Sequence, residues 1–241
     1  MSWLPVRTAD GSWTLAHPGH GETCHSRAGA WQQACERYAD GCRLSARRGV
    51  VRLLDVGTGI GLNLAAAYRA TDGRLEAVSF EHDPRVIEAG LALEQPPEIE
   101  RWLAPVREAL RSGTSFVRLV VGDAREGVAE IEGAFDAVFL DPFSPRVEPD
   151  LWDPKFLLEI AKRMAAGSLL STYSASLAVR AALAAAGLRV GPGARVGTKA
   201  SGTLASPDVD LPAFDERTRR RVERRARGFL LPHETSSRSL T

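Results

Sequence analysis

Apolar residues fall into short continuous runs, each closed by an acid or a glycine, with stretches of helical spacing between them. The runs at 50–54, 75–80 (LEAVSF), 116–121 (FVRLVV) and 135–140 (FDAVFL) are too short for helices and carry no polar face, the pattern of strands buried on both sides. A fifth run spans 168–174, and 188–196 with 203–206 reads as a closing pair of strands. Helical spacing is expected over 62–70, 85–93, 98–110, 126–131, 154–164 and 176–186. In 98–110, Ile99, Leu103, Val106 and Leu110 share one face. Gly167 and Gly187 are expected to end the last two helices. Upstream, turn formers surround 12–15, a short strand in a small hairpin. A helix is expected over 28–38 with Ser26 as its N-cap. Strands alternating with helices predict an α/β chain with a mostly parallel seven-stranded sheet and helices on both faces.

The densest chemistry follows the first buried strand, in VRLLDVGTGIGLN (51–63). Gly57, Gly59 and Gly61 let the backbone take positive φ and let a ligand approach where a Cβ would intrude. The helix that begins at Leu62 offers unpaired N–H groups at its start. A dinucleotide fingerprint spaces its glycines G-x-G-x-x-G. Here the spacing is D-x-G-x-G-x-G, with Asp55 at the strand end, and a carboxylate there suits a ligand with an ammonium group better than a pyrophosphate. The pattern resembles motif I of class I S-adenosylmethionine-dependent methyltransferases. A tight strand-to-helix turn without a ligand would also produce it.

Acids stand at the ends of the following strands. Glu81 comes 26 residues after Asp55, near the spacing at which a nucleoside-binding βαβ unit places its ribose acceptor. Asp83, before Pro84, reads as a helix cap. Asp123 with Ala124 either reaches an adenine amino group or caps the helix that follows. Asp141 opens DPFSP at the end of a central strand, beside the switch point where ligands bind in open α/β sheets. A structural role in satisfying loop amides is its alternative. Phe143, Trp152 and Lys199 lie in loops able to face a substrate, although for Trp152 a core lid is the plainer reading. Glu22, His25 and Ser26 gather ahead of the first helix. No general-base partner can be named for His25, and a satisfied core imidazole is the plainer reading.

Composition narrows the class. Hydrophobic residues make up 44% and charged residues 25%, ordinary for a globular protein, and 241 residues suffice for a sizeable core. A net charge of +1 excludes global attraction to nucleic acid, but it hides an asymmetry. Residues 215–241 hold eight arginines against four acids, a net of +4, which leaves −3 on residues 1–214. Cys24, Cys35 and Cys42 show no C-x-x-C spacing, so neither a zinc site nor a disulfide framework is expected. The absence of a long apolar run or a signal-like N-terminus leads to the expectation of a cytoplasmic protein without a membrane partner.

Together, DGSWTL (10–15), GETCHSRAGA (21–30), LLDVGTGIGLN (53–63) and FLDPFSPRVEPDLW (139–152) resemble the methyltransferase domain of the MnmC type, over about residues 8–206. The first acid–histidine–serine motif and F-L-D-x-F-S-P with its following tryptophan are far more specific than the glycine loop. The resemblance implies a Rossmann-like class I methyltransferase fold: residues 1–45 as an N-terminal extension, 46–206 as the S-adenosylmethionine-dependent domain, and 207–241 as a basic tail. It implies methylation of the 5-aminomethyl group on wobble uridine of transfer RNA (tRNA). Glu22 and Ser26 would close the cofactor site. Asp55, Gly57, Gly59, Gly61 and Asn63 would hold the methionine end, Glu81 the ribose, and Asp123 with Ala124 the adenine. Asp141 would be catalytic, and Phe143, Trp152 and Lys199 would meet the RNA. Better-known members add a flavin-dependent oxidase domain. No second glycine fingerprint occurs here, so neither FAD nor a metal is expected, and a monomer or weak homodimer is.

Overall fold

The computed structural model describes residues 2–113, 116–197 and 201–230. A hairpin of β1 (Leu4–Arg7) and β2 (Trp13–Ala16) comes first. Then α1 (Ala30–Gln32) runs into a π-helical segment, Gln33–Ala39. The main sheet holds β3 (Val51–Val56), β4 (Leu75–Glu81), β5 (Val117–Val121), β6 (Phe135–Leu140), β7 (Met164–Thr172), β8 (Arg189–Pro192) and β9 (Thr203–Ser206). Between them lie α2 (Leu62–Ala70), α3 (Pro84–Leu91), α4 (Pro97–Ser112), α5 (Ala124–Glu130), α6 (Pro154–Lys162) and α7 (Leu177–Ala185), and α8 (Glu216–Leu230) follows. The order across the sheet is β5-β4-β3-β6-β7-β9-β8, parallel as far as β7, with β9 antiparallel to both its neighbours. This is a Rossmann-like fold with helices on both faces. Its strand order reverses between β3 and β6, which sets Val56 beside Leu140.

Strand periodicity sorts the core into two layers. Leu53, Ala77, Val117 and Phe139 pack under the π-helical segment, α2, α3 and α4. Leu54, Phe80, Val138 and Leu170 pack under α5, α6 and α7. The helix starts are set locally: Asp83, Asp123 and Asp153 each accept the N–H two residues on, from Arg85, Arg125 and Lys155.

Three boundaries differ from the sequence expectation. Ser26 is not an N-cap. Its Oγ accepts the Ala28 N–H in the turn ahead of α1, whose cap is Gly29. Gly167 does not end a helix: α6 stops at Lys162, and Gly167 lies at φ +73° inside β7, next to the register shift opposite Phe135 and Ala137. An irregular strand of this kind reads as a helix end because Gly punctuates both. The strand expected at 188–196 stops at Pro192, which cannot extend a ladder of N–H donors.

Candidate active site

At the carboxyl ends of β3 to β6 lies a cavity of about 670 Å3, a size suited to a cofactor-scale ligand. Its floor is the loop after β3. The N–H groups of Gly57 and Thr58 both donate to the Phe80 carbonyl (2.9 and 3.1 Å), turning the chain sharply out of the sheet. Gly57 sits at φ +94°, and a Cβ there would stand 2.7 Å from the carbonyl oxygen of Asp141. The Asp141 N–H in turn donates to the Val56 carbonyl at 2.9 Å. The glycine loop and the loop opened by Asp141 are thus in backbone contact.

The Asp141 carboxylate is held from two directions. Tyr38, from the π-helical segment, donates its hydroxyl to Oδ1, and Asn63, from the first turn of α2, donates to Oδ2 at 2.8 Å. Tyr38 is wholly buried; burial first, and then the charge of Asp141, push its hydroxyl well above the ordinary range, so it remains a donor. Replacing Tyr38 with Phe removes a hydrogen bond to a charged acceptor, worth about 1.5–3 kcal/mol. Steady-state kinetics are expected to show kcat lower by about tenfold or more, with the cofactor Kd unchanged. A Kd that weakens in step with kcat would contradict this.

Glu81 lines the cavity and ties its two floor loops, accepting the Gly59 N–H (2.9 Å) through one oxygen and the Asp83 N–H (3.0 Å) through the other. Burial raises its pKa against the pull of those amides. Glu22 closes the roof by accepting both the N–H (3.1 Å) and the hydroxyl (2.6 Å) of Ser144. Burial opposes its ionisation, but the bonds from Ser144 and Arg146 hold its pKa below the usual range. Ser26 and Ala124 also line the cavity. Asp123 does so while capping α5, and it is held low first by its bond to Arg125. Glu148, which the sequence reasoning did not single out, lines the wall and accepts the Phe143 N–H at 2.6 Å. The walls therefore favour a positively charged ligand. Among the described residues no cluster of His, Cys, Asp and Glu could hold a metal.

Several expected site residues stand elsewhere. Asp55 is fully buried outside the cavity lining, on the face of β3 shared with Val51 and Leu53, and takes the Ser79 hydroxyl at 2.6 Å. Gly61 faces Leu103, Val106 and Leu110 of α4 rather than the cavity. Asn63 acts on Asp141 instead of lining the ligand space. Trp152 is 5% exposed, and its Nε1–H donates to the Phe143 carbonyl (2.8 Å), so it pins the loop and offers no stacking face. Phe143 lines the cavity but packs against Trp3, His17 and His20 of the N-terminal extension. Lys199 lies outside the described residues. Tyr38 was missed. The available signal was a phenol on the apolar side of a helix, where its hydroxyl needs a partner.

Burial raises the Asp55 pKa from 3.8 to about 8, the Ser79 bond opposing and the charges of Asp141 and Glu81 adding. A carboxyl raised in the folded state is neutral in both states below pH 3.8; above it the unfolded chain ionises first, so its contribution to stability is lost as pH rises to about 8. Asp55→Asn is expected to melt increasingly above the parent across that window. Each kcal/mol gained should raise Tm by about 2–4 °C. Parallel melting curves at every pH would sink the assignment.

Comparisons with known proteins converge on one family. A family model described as S-adenosyl-L-methionine-dependent methyltransferase matches residues 93–208. The tRNA 5-methylaminomethyl-2-thiouridine biosynthesis bifunctional protein MnmC of Aromatoleum aromaticum is 37% identical over 202 residues, 75% of this chain but 31% of its own length. Protein MJ0670 of Methanocaldococcus jannaschii is 30% identical over 249 residues, covering 98% of this chain and 68% of that one. The crystal structure of MNMC2 from Aquifex aeolicus aligns at a TM-score of 0.78 and 32% identity, over 92% of this chain and 76% of that one.

Proposed function

Since the chain belongs to the MnmC-type family of S-adenosylmethionine-dependent methyltransferases, we propose that it methylates the 5-aminomethyl amine of wobble (2-thio)uridine in tRNA. The observation that carries the reading is Asp141. Its carboxylate is fixed by Tyr38 and Asn63 where the cavity meets the glycine loop.

The residues present fit the cofactor. Gly57 and Gly59 leave a cradle that a Cβ at Gly57 would disturb, and the carboxylates match a ligand bearing ammonium and sulfonium charge. Gly57, Gly59, Glu22 and Ser26 would hold its amino-acid end, Glu81 its ribose, and Asp123 with Ala124 its adenine. When bound, S-adenosylmethionine supplies an electrophilic sulfonium methyl group. Asp141 accepts an N–H of the acceptor amine, orients its lone pair, and takes the proton the amine must shed, directly or through water. Tyr38 and Asn63 position Asp141. Glu22, bonded to Ser144, shuts water out at the roof.

An acid-lined cavity keeps phosphates outside, so the RNA backbone must be met on another surface. In α8 all seven arginines are exposed, while Val222 and Ala226 bury a narrow stripe, and the helix packs on α7. Arg219 and Arg220 pair with Glu223 and Glu216. Replacing Arg217, Arg221, Arg224 and Arg225 with Gln is expected to flatten the salt dependence of tRNA binding. The slope of log Kd against log salt should fall by about 0.7–0.9 for each phosphate that is no longer neutralised. An unchanged slope removes α8 from the interface.

The deciding assay is transfer of labelled methyl from S-adenosylmethionine to tRNA lacking the terminal methylation, followed by nucleoside analysis. Label in a methylaminomethyluridine supports the reading. No labelled nucleoside, with S-adenosylhomocysteine still bound, overturns it. The same acidic walls favour a second reading, a small cationic amine as acceptor, which label on a free polyamine or amino acid would support.

A further inference from the structure

The segment that supplies Tyr38 also buries a cation. Arg37 precedes Tyr38 on the π-helical segment and is 2% exposed. Its Nη1 donates to the Tyr173 carbonyl at 3.3 Å, while its Nε makes no hydrogen bond. Among the described residues it forms no ion pair. A guanidinium keeps its charge at any working pH, and burying one without a carboxylate against it is unfavourable.

That charge lies near Asp141. The next residue, Tyr38, donates to the Asp141 carboxylate. The residue that holds Nη1, Tyr173, lines the cavity and donates its hydroxyl to the Pro142 carbonyl at 3.0 Å. Arg37 thus joins two elements that flank the Asp141 loop. Burial draws its pKa down, and Tyr38 and then Asp141 pull it back up. A Cβ on Gly202 would collide with Nη1, so the backbone before β9 covers the guanidinium, which stands outside the cavity lining. Among the described residues, the other titratable groups that feel Asp141 are Cys24, Asp55, Tyr38 and Tyr173. Burial raises the pKa of each, which leaves all four neutral at pH 7.

Methylation of an amine needs what the cavity walls oppose. A primary amine attacks through its lone pair, yet Glu22, Glu81, Asp123, Asp141 and Glu148 line the cavity and favour its ammonium form. A fixed positive charge nearby has the opposite effect, as with lysines whose pKa falls beside a second cation. The same charge keeps a carboxylate ionised and therefore able to take a proton. We propose that the buried charge of Arg37 holds the acceptor amine in its neutral, nucleophilic form and Asp141 in its ionised form. The amine gives up one proton to solvent on entering. Its lone pair forms the N–C bond as the methyl group's bonding pair stays with sulfur, and Asp141 takes the second proton, which the methylated amine sheds. Arg37 is a positioning residue, since it acts through its charge from outside the cavity. This rests on the methyl-transfer reading.

The pH profile of kcat on the full chain, at saturating cofactor and tRNA, tests it. Calorimetry with S-adenosylhomocysteine checks that each variant is folded. Arg37→Gln keeps an N–H donor for the Tyr173 carbonyl and drops the charge. Its acid limb is expected to move up by about one pH unit, so that kcat at neutral pH falls up to about tenfold and returns to within about threefold of the parent on the alkaline side. Arg37→Lys, which keeps a charge, should leave the limb within about half a unit of the parent's. Asp55 titrates near 8 in parent and variants alike, so it drops out of the comparison. Should Arg37→Gln fail to fold, Arg37→Met, an apolar chain of similar length, takes its place. A loss by the same factor at every pH, an unmoved limb, or a limb moved equally in Arg37→Lys overturns the proposal and leaves methyl transfer standing. A parent that methylates no amine at any pH removes the underlying reading, and the role of Arg37 with it.

Discussion

Asp141→Ala is expected to lower kcat at least about 100-fold while S-adenosylhomocysteine binding changes little. The carboxylate receives Tyr38 and Asn63 on separate oxygens, so the protein spends two donors on its orientation. Neither donor belongs to the residues proposed to hold the cofactor, which explains why binding and turnover separate. Truncation to Ala also strands a buried phenol and a side-chain amide, so Asp141→Asn is the cleaner probe. It keeps the shape and removes the charge. A kcat as low in Asn as in Ala assigns the effect to the carboxylate. An Asn variant at parental rate would show that shape alone matters and would remove Asp141 from proton handling. Kinetics at saturating cofactor and calorimetry on the same preparations make the comparison.

The second large effect is expected at the glycine loop. Gly57→Ala places a methyl group 2.7 Å from the Asp141 carbonyl oxygen at φ +94°, so the backbone must move and the Asp141 loop with it. Strain of this kind costs on the order of 1–3 kcal/mol. Cofactor affinity should fall about tenfold or more, and methyl transfer should fall further because the carboxylate proposed to be catalytic is displaced too. Gly59→Ala is the control. Its φ of +55° lies in the left-handed region open to other residues, and its nearest neighbours would be ordinary contacts at 3.6 Å or beyond. It should cost about 1 kcal/mol of stability and weaken cofactor binding, since Gly59 lines the cavity, but leave kcat at saturating cofactor near the parent's because the Asp141 loop stays in place. Equal losses of kcat at both positions would show that the loop needs flexibility as such, and that the contact with Asp141 is incidental.

Much of this was written in local pattern. The buried runs, the glycine turn after Asp55, and the caps at Asp83 and Asp153 each depend on neighbours a few residues away, and each appears where its pattern put it. Asp123 was ambiguous between a cap and a ligand contact because both need an acid at a strand end; it caps α5 from a position on the cavity wall. Gly167 misled because glycine marks helix ends and strand irregularities alike.

What local pattern cannot carry is convergence across the chain. Tyr38 and Asn63 meet Asp141 over separations of 103 and 78 residues, and only packing of the π-helical segment and α2 onto one face of the sheet brings them together. The same facing decided Asp55. Strand alternation put its carboxylate on the face of β3 shared with Val51 and Leu53 and left Val56 on the cavity, so the acid that opened the motif does not line the cavity. Trp152 was spent on a loop carbonyl for the same reason. Sequence by itself determined the elements, their order and the loop chemistry at the sheet's edge, because those follow from backbone freedom and hydrophobic period. Which side chains face the ligand was decided by the tertiary structure, because it depends on which face of each strand the later helices cover.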